Sequence, residues 1–410
     1  MTAAGARVRR TYLVLTLLAT LAASTIWGIN TLFLLDAGLS NAQAFAANAF
    51  FTVGQVLFEV PTGAVADTWG RRASFLLGAG TLLVATLLYV LMWKLRAPMW
   101  GWALASVLIG LGFTFFSGAT EAWLVDALEF TGAKDELESV LARGQVMGGV
   151  AMLAGSVGGG FIAQFTNLGV PYVVRSVLLG LTLVVAAVSM RDLGFTPDPH
   201  HPLQKLRSVL GASVQYGLKN PPVRWVMLAA PFTMGAGIYA FYALQPYLLQ
   251  LYGDPQAFGI AGVAAAVVAA TQIAAGFLGP HMRRLFRRRT DAMILTTVIG
   301  ALALGLLGWT TSFWVALALL IASELMEWAA HPMRQAYLNG LIPSAQRATV
   351  LSFDNLMGSA GGVVAQPALG RMADVMGYAR TYVACSVLYL AALPFLLLAR
   401  RQSAPSDKVD

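Results

Sequence analysis

Charge is scarce in this 410-residue chain. Asp, Glu, Lys and Arg together make up 11% of it, hydrophobic residues make up 58%, and mean hydropathy is +0.68. Soluble domains carry about 25% charged residues, so a soluble fold is excluded. Cysteine is nearly missing. Cys385 stands alone in an apolar run, which rules out an internal disulfide, a CxxC pair and a Cys/His metal centre. There are four histidines, and the adjacent pair His200 and His201 has no partner ligands nearby in sequence, so no metal is expected. No Gly-x4-Gly-Lys-Ser/Thr loop occurs, so ATP is not the direct energy source and no cofactor is implied. Neither paired Asp-rich metal motifs nor a Ser/His/Asp set is present, so the chain does not read as an enzyme.

What the chain does contain is long apolar runs. A helix needs about 20 such residues to cross a bilayer, and about twelve runs qualify: 11–35, 43–66, 73–93, 99–127, 140–165, 170–190, 223–251, 257–282, 291–309, 312–340, 347–373 and 377–399. They are too long and too rich in Leu, Ala and Gly for barrel strands. The first run follows Arg7, Arg9 and Arg10 but is too long for a signal peptide core and lacks a cleavage site, so it reads as a span. The net charge of +8 is not a nucleic-acid signal, because the cations fall in alternate loops. Arg71 and Arg72, Lys205 to Arg224, Arg283 to Arg289, Arg347 and Arg400 belong to one set, and the other set is sparse. By the positive-inside rule the chain is a multi-pass protein of the cell inner membrane with both termini cytoplasmic.

The stretch Gln55–Phe75 joins two such runs through a short polar loop of fixed spacing, Gly63-x3-Asp67-x2-Gly70-Arg71-Arg72. Gly63 allows close approach of helices. Asp67 can cap a helix or pair with a cation, Gly70 supplies a turn, and the arginines sit at the cytoplasmic face. This loop resembles the one between helices 2 and 3 of the major facilitator superfamily of transporters. The resemblance implies a latch in which Asp67, Arg71 and an acidic residue of the fourth run, Asp126, meet. FEVPTGAVAD, SGATEAWLVD and RATVLSFDNL look like bacterial drug-efflux members.

Two departures from that family stand out. Small residues on the fifth run, from Gly144 to Gly160, form a close-packing seam that resembles the antiporter motif, but Ser156 replaces its proline. The fourth run has Ser106 where the proton-relay motif has a buried arginine. After the polar break the pattern restarts: Arg288 and Arg289 align with Arg71 and Arg72, while Arg284 replaces the loop aspartate. Gly370-x3-Asp374-x2-Gly377 repeats the glycine–aspartate spacing after the eleventh run. Weak internal repeats of this kind mark transporter folds.

Ionisable groups inside spans are functional candidates by default. Glu59, Glu121, Glu327 and His331 are the candidate proton carriers. The tenth run is the most polar: Glu324, Glu327, His331 and Arg334 fall on one narrow helix face. His331 or Arg334 is the expected cation beside Glu327, with Asp354 joining from the cytoplasmic side. Trp27, Asn30, Tyr239, Tyr242, Gln245, Glu324, Trp328 and Arg334 are expected to line a substrate cavity, although Asn30 fits an interhelical hydrogen bond equally well.

The family resemblance therefore implies an all-α membrane protein of twelve transmembrane helices in two pseudo-symmetric six-helix bundles, 1–190 and 223–400. A cytoplasmic linker, 191–222, would carry an amphipathic helix around Leu203, Leu206, Val209 and Leu210, and 401–410 would be a cytoplasmic tail. The implied function is proton-coupled efflux of a small amphipathic organic solute by a monomer in the lipid bilayer, through alternating access. An uptake symporter or lipid transporter of the same fold is the alternative.

Overall fold

A computed structural model describes residues 3–197, 211, 213–283 and 285–409. The amphipathic helix expected in the linker lies outside them. Ten helical stretches are long and apolar enough to cross a membrane. The sequence-based count of twelve differs at both ends of the chain. The first run splits into α1 (Ala3–Ser24) and α2 (Asn30–Asp36) and falls outside the ten. The last stretch, Thr349–Arg401, holds two of the expected runs. Within it α13 (Arg347–Leu390) is interrupted by Gly377 at φ 80°, a left-handed conformation that glycine adopts without strain.

The other elements follow the hydropathy closely: α3 (Asn41–Trp69), α4 (Arg71–Leu95), α5 (Met99–Phe116), α6 (Ala119–Phe130), α7 (Leu137–Phe165), α8 (Val170–Ser189), α9 (Pro221–Tyr252), α10 (Phe258–Arg283), α11 (Arg289–Leu307), α12 (Phe313–Asn339) and α14 (Leu393–Arg401). The fourth run is a correction. It is not one helix, because Ser117 leaves helical geometry and Gly118 takes φ 69°, so a fresh helix starts at Ala119.

Packing divides the chain into two compact units. Unit 1 comprises Met1–Gly38, Phe50–Leu203 and Gln256–Ala266. In it α1 packs on α7 and α8, and α4 packs on α5 and α8. The α7 seam works as the small residues imply. A methyl group at Gly155 would strike the Ser24 side chain, one at Gly159 would strike the Thr25 carbonyl, and one at Gly144 would strike the Tyr12 ring. Ser24 Oγ donates across this seam to the Ala151 carbonyl at 3.0 Å. Without a hydrophobic driving force in lipid, such close backbone contact is what holds helices together. Tyr12, Leu15, Phe75, Trp123, Leu124 and Met190 form a core within this unit.

Unit 2 comprises Leu39–Ala49, Gln204–Pro255 and Val267–Asp410. There α9 lies along α13, and α11 packs on α12 and α13. Val226, Met227, Tyr337, Val350 and Leu396 form its core. Exposed tryptophans stand at helix ends in each unit, Trp69 and Trp100 in unit 1 and Trp309 and Trp314 in unit 2. Amphipathic rings at the ends of spanning helices suit the membrane–water boundary.

Candidate functional site

The loop between α3 and α4 assembles as its spacing suggests. Asp67 and Arg71 are four residues apart, one near the end of α3 and the other at the start of α4. Gly70 between them takes φ 102°, which turns the chain from one helix into the next. Arg71 Nη1 donates to Asp67 Oδ1 at 2.7 Å, and Arg71 Nε lies 3.9 Å from Asp126 Oδ2. The guanidinium also stacks 5.8 Å from the centre of the Phe195 ring. Gly63 is a correction: a methyl there would meet nothing within 4 Å, so it marks no close helix contact.

A residue that the sequence reading missed completes this loop. Asp192 Oδ1 accepts from the Arg72 backbone N–H at 2.8 Å and so caps the start of α4. Its carboxylate also occupies the space that a side chain at Gly70 would need. Unit 2 repeats the arrangement. Asp407 is buried, and it accepts from the Thr290 backbone N–H at 2.8 Å and from Thr290 Oγ1 at 2.9 Å, at the start of α11. Arg289 donates to the carbonyls of Lys408 and Ser406. Each cap comes from a carboxylate beyond the last helix of its own unit, 120 and 117 residues from its partner. Asp374, in the third occurrence of the spacing, accepts from the backbone N–H groups of Asn41 and Ala42 at 2.8 and 3.0 Å, and so caps α3.

Unit 1 contains a cavity of about 420 Å³, bordered by Tyr12, Thr16, Phe113, Ser117, Thr120 and Glu121 among others. The break at Ser117–Gly118 puts Glu121 in the first turn of α6, where the helix dipole favours an acidic side chain. Glu59 reaches the same break, with its Oε1 3.1 Å from Ser117 Oγ. Both glutamates are exposed at the surface of the unit rather than buried within it. Asn30 does not border this cavity. It accepts from the Tyr172 hydroxyl at 2.8 Å, the interhelical bond that was the other reading of this residue. Trp27 is half-buried and likewise outside the cavity wall.

Arg175 on α8 was also missed. It is 3% exposed, and its guanidinium lies 6.0 Å from the centre of the Phe113 ring. The signal was present as an arginine inside an apolar run. Ser106, where the resemblance led us to look for that charge, instead bonds the Tyr89 hydroxyl at 2.5 Å.

In unit 2 the polar face of α12 separates into two groups, correcting the expected single network. Arg334 is engaged by Asp354 through two bonds of 2.5 and 2.6 Å, and Asp354 is buried. Arg334 is therefore not the partner of Glu327. About three turns away along α12, Glu324 is buried with its carboxyl against the side chains of Trp328 and Gln272. Glu327 is half-buried beside it, near Tyr389 and Cys385 of α13. Gly237 of α9 gives it room, since a methyl there would come within 3.0 Å of Glu327 Oε2. Neither glutamate has an ion-pair partner among the described residues. His331 is exposed and faces the Trp328 ring at 5.8 Å, and no hydrogen bond joins it to Glu327 among the described residues.

Of the expected cavity residues on α9, Tyr239 and Gln245 are enclosed within unit 2. The Tyr239 ring is set against Phe45 at 4.9 Å and Tyr382 at 6.1 Å. Tyr242 is half-buried against Phe241.

Comparison with known proteins gives a consistent picture of the fold. The family model for the Major Facilitator Superfamily matches residues 12–366. No curated protein matches the sequence. Among solved structures, the chain is similar to the nucleoside transporter NupG, with a TM-score of 0.78 at 11% identity over 95% of this chain and 98% of that one. A bacterial homolog of the human lysosomal transporter Spinster gives 0.76 at 16% identity, covering 99% of each chain. The POT family transporter PepTSo gives 0.75 at 14% identity over 97% and 98%.

Proposed function

Because the chain belongs to the Major Facilitator Superfamily, a family of membrane transporters, we propose that it moves a small organic solute across the cell inner membrane by proton-coupled alternating access, as an efflux antiporter. In this reading 1–190 and 223–400 are the two moving bundles, 191–222 links them, and both termini are cytoplasmic. The single observation that carries it is the carboxylate pair on α12. Glu324 and Glu327 lie on adjacent turns of a span with no cation paired to them among the described residues, while the guanidinium on the same helix, Arg334, is committed to Asp354. Keeping two such carboxylates charged inside a membrane protein is costly. Protonation removes the cost, and a site that alternates between loaded and unloaded forms biases a conformational equilibrium in the way coupling requires. Glu59 and Glu121, exposed at the α5–α6 break, would exchange protons with the solute-filled cavity. Asp67, Arg71 and Asp126 would latch the cytoplasmic loop.

The uptake reading is supported by a different observation: Ser156 and Ser106 replace residues of the antiporter and proton-relay motifs, and NupG, a nucleoside transporter, has the same fold. The direction of proton flux against solute flux in vesicles separates the two. For the coupling site, the full chain carrying Glu327→Gln is reconstituted in liposomes. Gradient-driven flux is expected to vanish while counterflow and melting temperature stay near wild type. Normal gradient-driven flux would refute the coupling role. Joint loss of flux, counterflow and thermal stability would instead assign the pair to structure.

A further inference from the structure

Two arginines, Arg175 on α8 and Arg334 on α12, lie within spanning helices, and only one is neutralised among the described residues. Arg334 has Asp354 across two short bonds. Arg175 is more deeply buried, at 3% exposure, and no carboxylate pairs with it among the described residues. Its one hydrogen bond runs from Nε to Thr86 Oγ1 at 3.1 Å, and Thr86 passes its own proton to the Leu82 carbonyl at 2.6 Å. The flanking tyrosines, Tyr89 and Tyr172, direct their hydroxyls to Ser106 and Asn30. Among the described residues no hydrogen bond from its terminal amino groups joins that of Nε, and the face of the Phe113 ring is the other group set against the charge. A buried guanidinium balanced by no carboxylate is unfavourable and persists only where something repays it.

The geometry narrows what that is. With Nε occupied, the free edge of the guanidinium is its two-nitrogen end, which matches the two oxygens of a carboxylate. The Phe113 ring lies 6.0 Å from the guanidinium carbon and also borders the cavity of unit 1. One aromatic side chain is thus shared by the charge and the cavity wall. A phenylalanine on a helix has more than one staggered first-torsion well, so a change of well by Phe113 moves this ring.

We propose that Arg175 is the receptor for a carboxylate group carried by the transported solute, reached from the unit 1 cavity when Phe113 turns aside. This rests on the transporter reading above and adds a substrate class to it: solutes bearing a single carboxylate.

The test needs no gradient, so its outcome is independent of proton coupling. Purified full-length protein in detergent is titrated with benzoate and with its neutral isostere benzamide, following the thermal midpoint and the heat of binding. Benzoate is expected to raise the midpoint and benzamide to leave it unchanged. Arg175→Gln and Arg175→Met should weaken benzoate by at least about tenfold, a loss of about 1.4 kcal/mol. Arg175→Lys should retain part of the binding, since it keeps the charge and loses the fork. Replacing a buried unpaired charge by an apolar side chain is commonly neutral or stabilising, so Arg175→Met is expected to fold. Phe113→Ala keeps the Arg175 side chain, removes the ring set against it and should speed benzoate association, which keeps the test decisive even if every Arg175 variant misfolds. Equal effects of benzoate and benzamide on the wild type, full benzoate binding in Arg175→Gln, or an unchanged association rate in Phe113→Ala would each overturn the proposal. So would a benzoate effect that emerges only in Glu59→Gln or Glu121→Gln, because the natural occupant would then be one of the protein's own carboxylates.

Discussion

Removing Arg334 should destabilise unit 2 more than removing any other cation in the described chain. The magnitude follows from its partner. Asp354 is 2% exposed, and both its oxygens are held by the Arg334 guanidinium at 2.5 and 2.6 Å. Taking away one member of such a pair leaves an uncompensated buried charge and costs about 3–5 kcal/mol. The Arg334 side chain is itself 21% exposed, which lets some water reach the site and favours the lower end, about 3 kcal/mol. Arg334→Met should therefore lower unfolding stability by about that much, and Arg334→Met/Asp354→Leu should recover most of it, because the apolar pair leaves no buried charge. Unfolding in mixed micelles, run as a double-mutant cycle, measures the coupling directly. Additive losses in the double variant, or a wild-type unfolding curve for Arg334→Met, would refute the reasoning.

The loop cluster gives a second expectation. Asp67→Asn weakens a pair that is a fifth to a quarter exposed, worth less than about 1 kcal/mol to stability, so the melting temperature should hold while gradient-driven flux falls; unchanged flux would remove Asp67 from the latch. A third concerns the α7 seam, where Gly159→Val drives side-chain atoms into the Thr25 carbonyl and should cost about 1–3 kcal/mol through overpacking. Expression level and thermal midpoint report it, and a variant indistinguishable from wild type would mean that the seam does not set the α1–α7 distance.

Two properties were legible from the sequence alone because both are set by short-range physics. Partition into lipid depends on the local sum of side-chain hydropathies, so the spans from α3 to α12 could be drawn to within a few residues. The Asp67–Arg71 pair depends only on its four-residue spacing and the turn glycine between them, and the Gly-x3-Asp-x2-Gly repeat could be found again at Asp374 for the same reason. Partner choice across helices was not legible. Glu327, His331 and Arg334 share a helix face in any reading, yet that face is divided among neighbours: Arg334 meets Asp354, Glu324 meets Gln272 and Trp328, and His331 meets Trp328. The caps on α4 and α11 come from Asp192 and Asp407, more than a hundred residues away, and no local pattern announces them. The charge on Arg175 could be read, but that it lies buried without a carboxylate could not. That depends on which helices surround it, and only the packed bundle decides which neighbours a side chain meets.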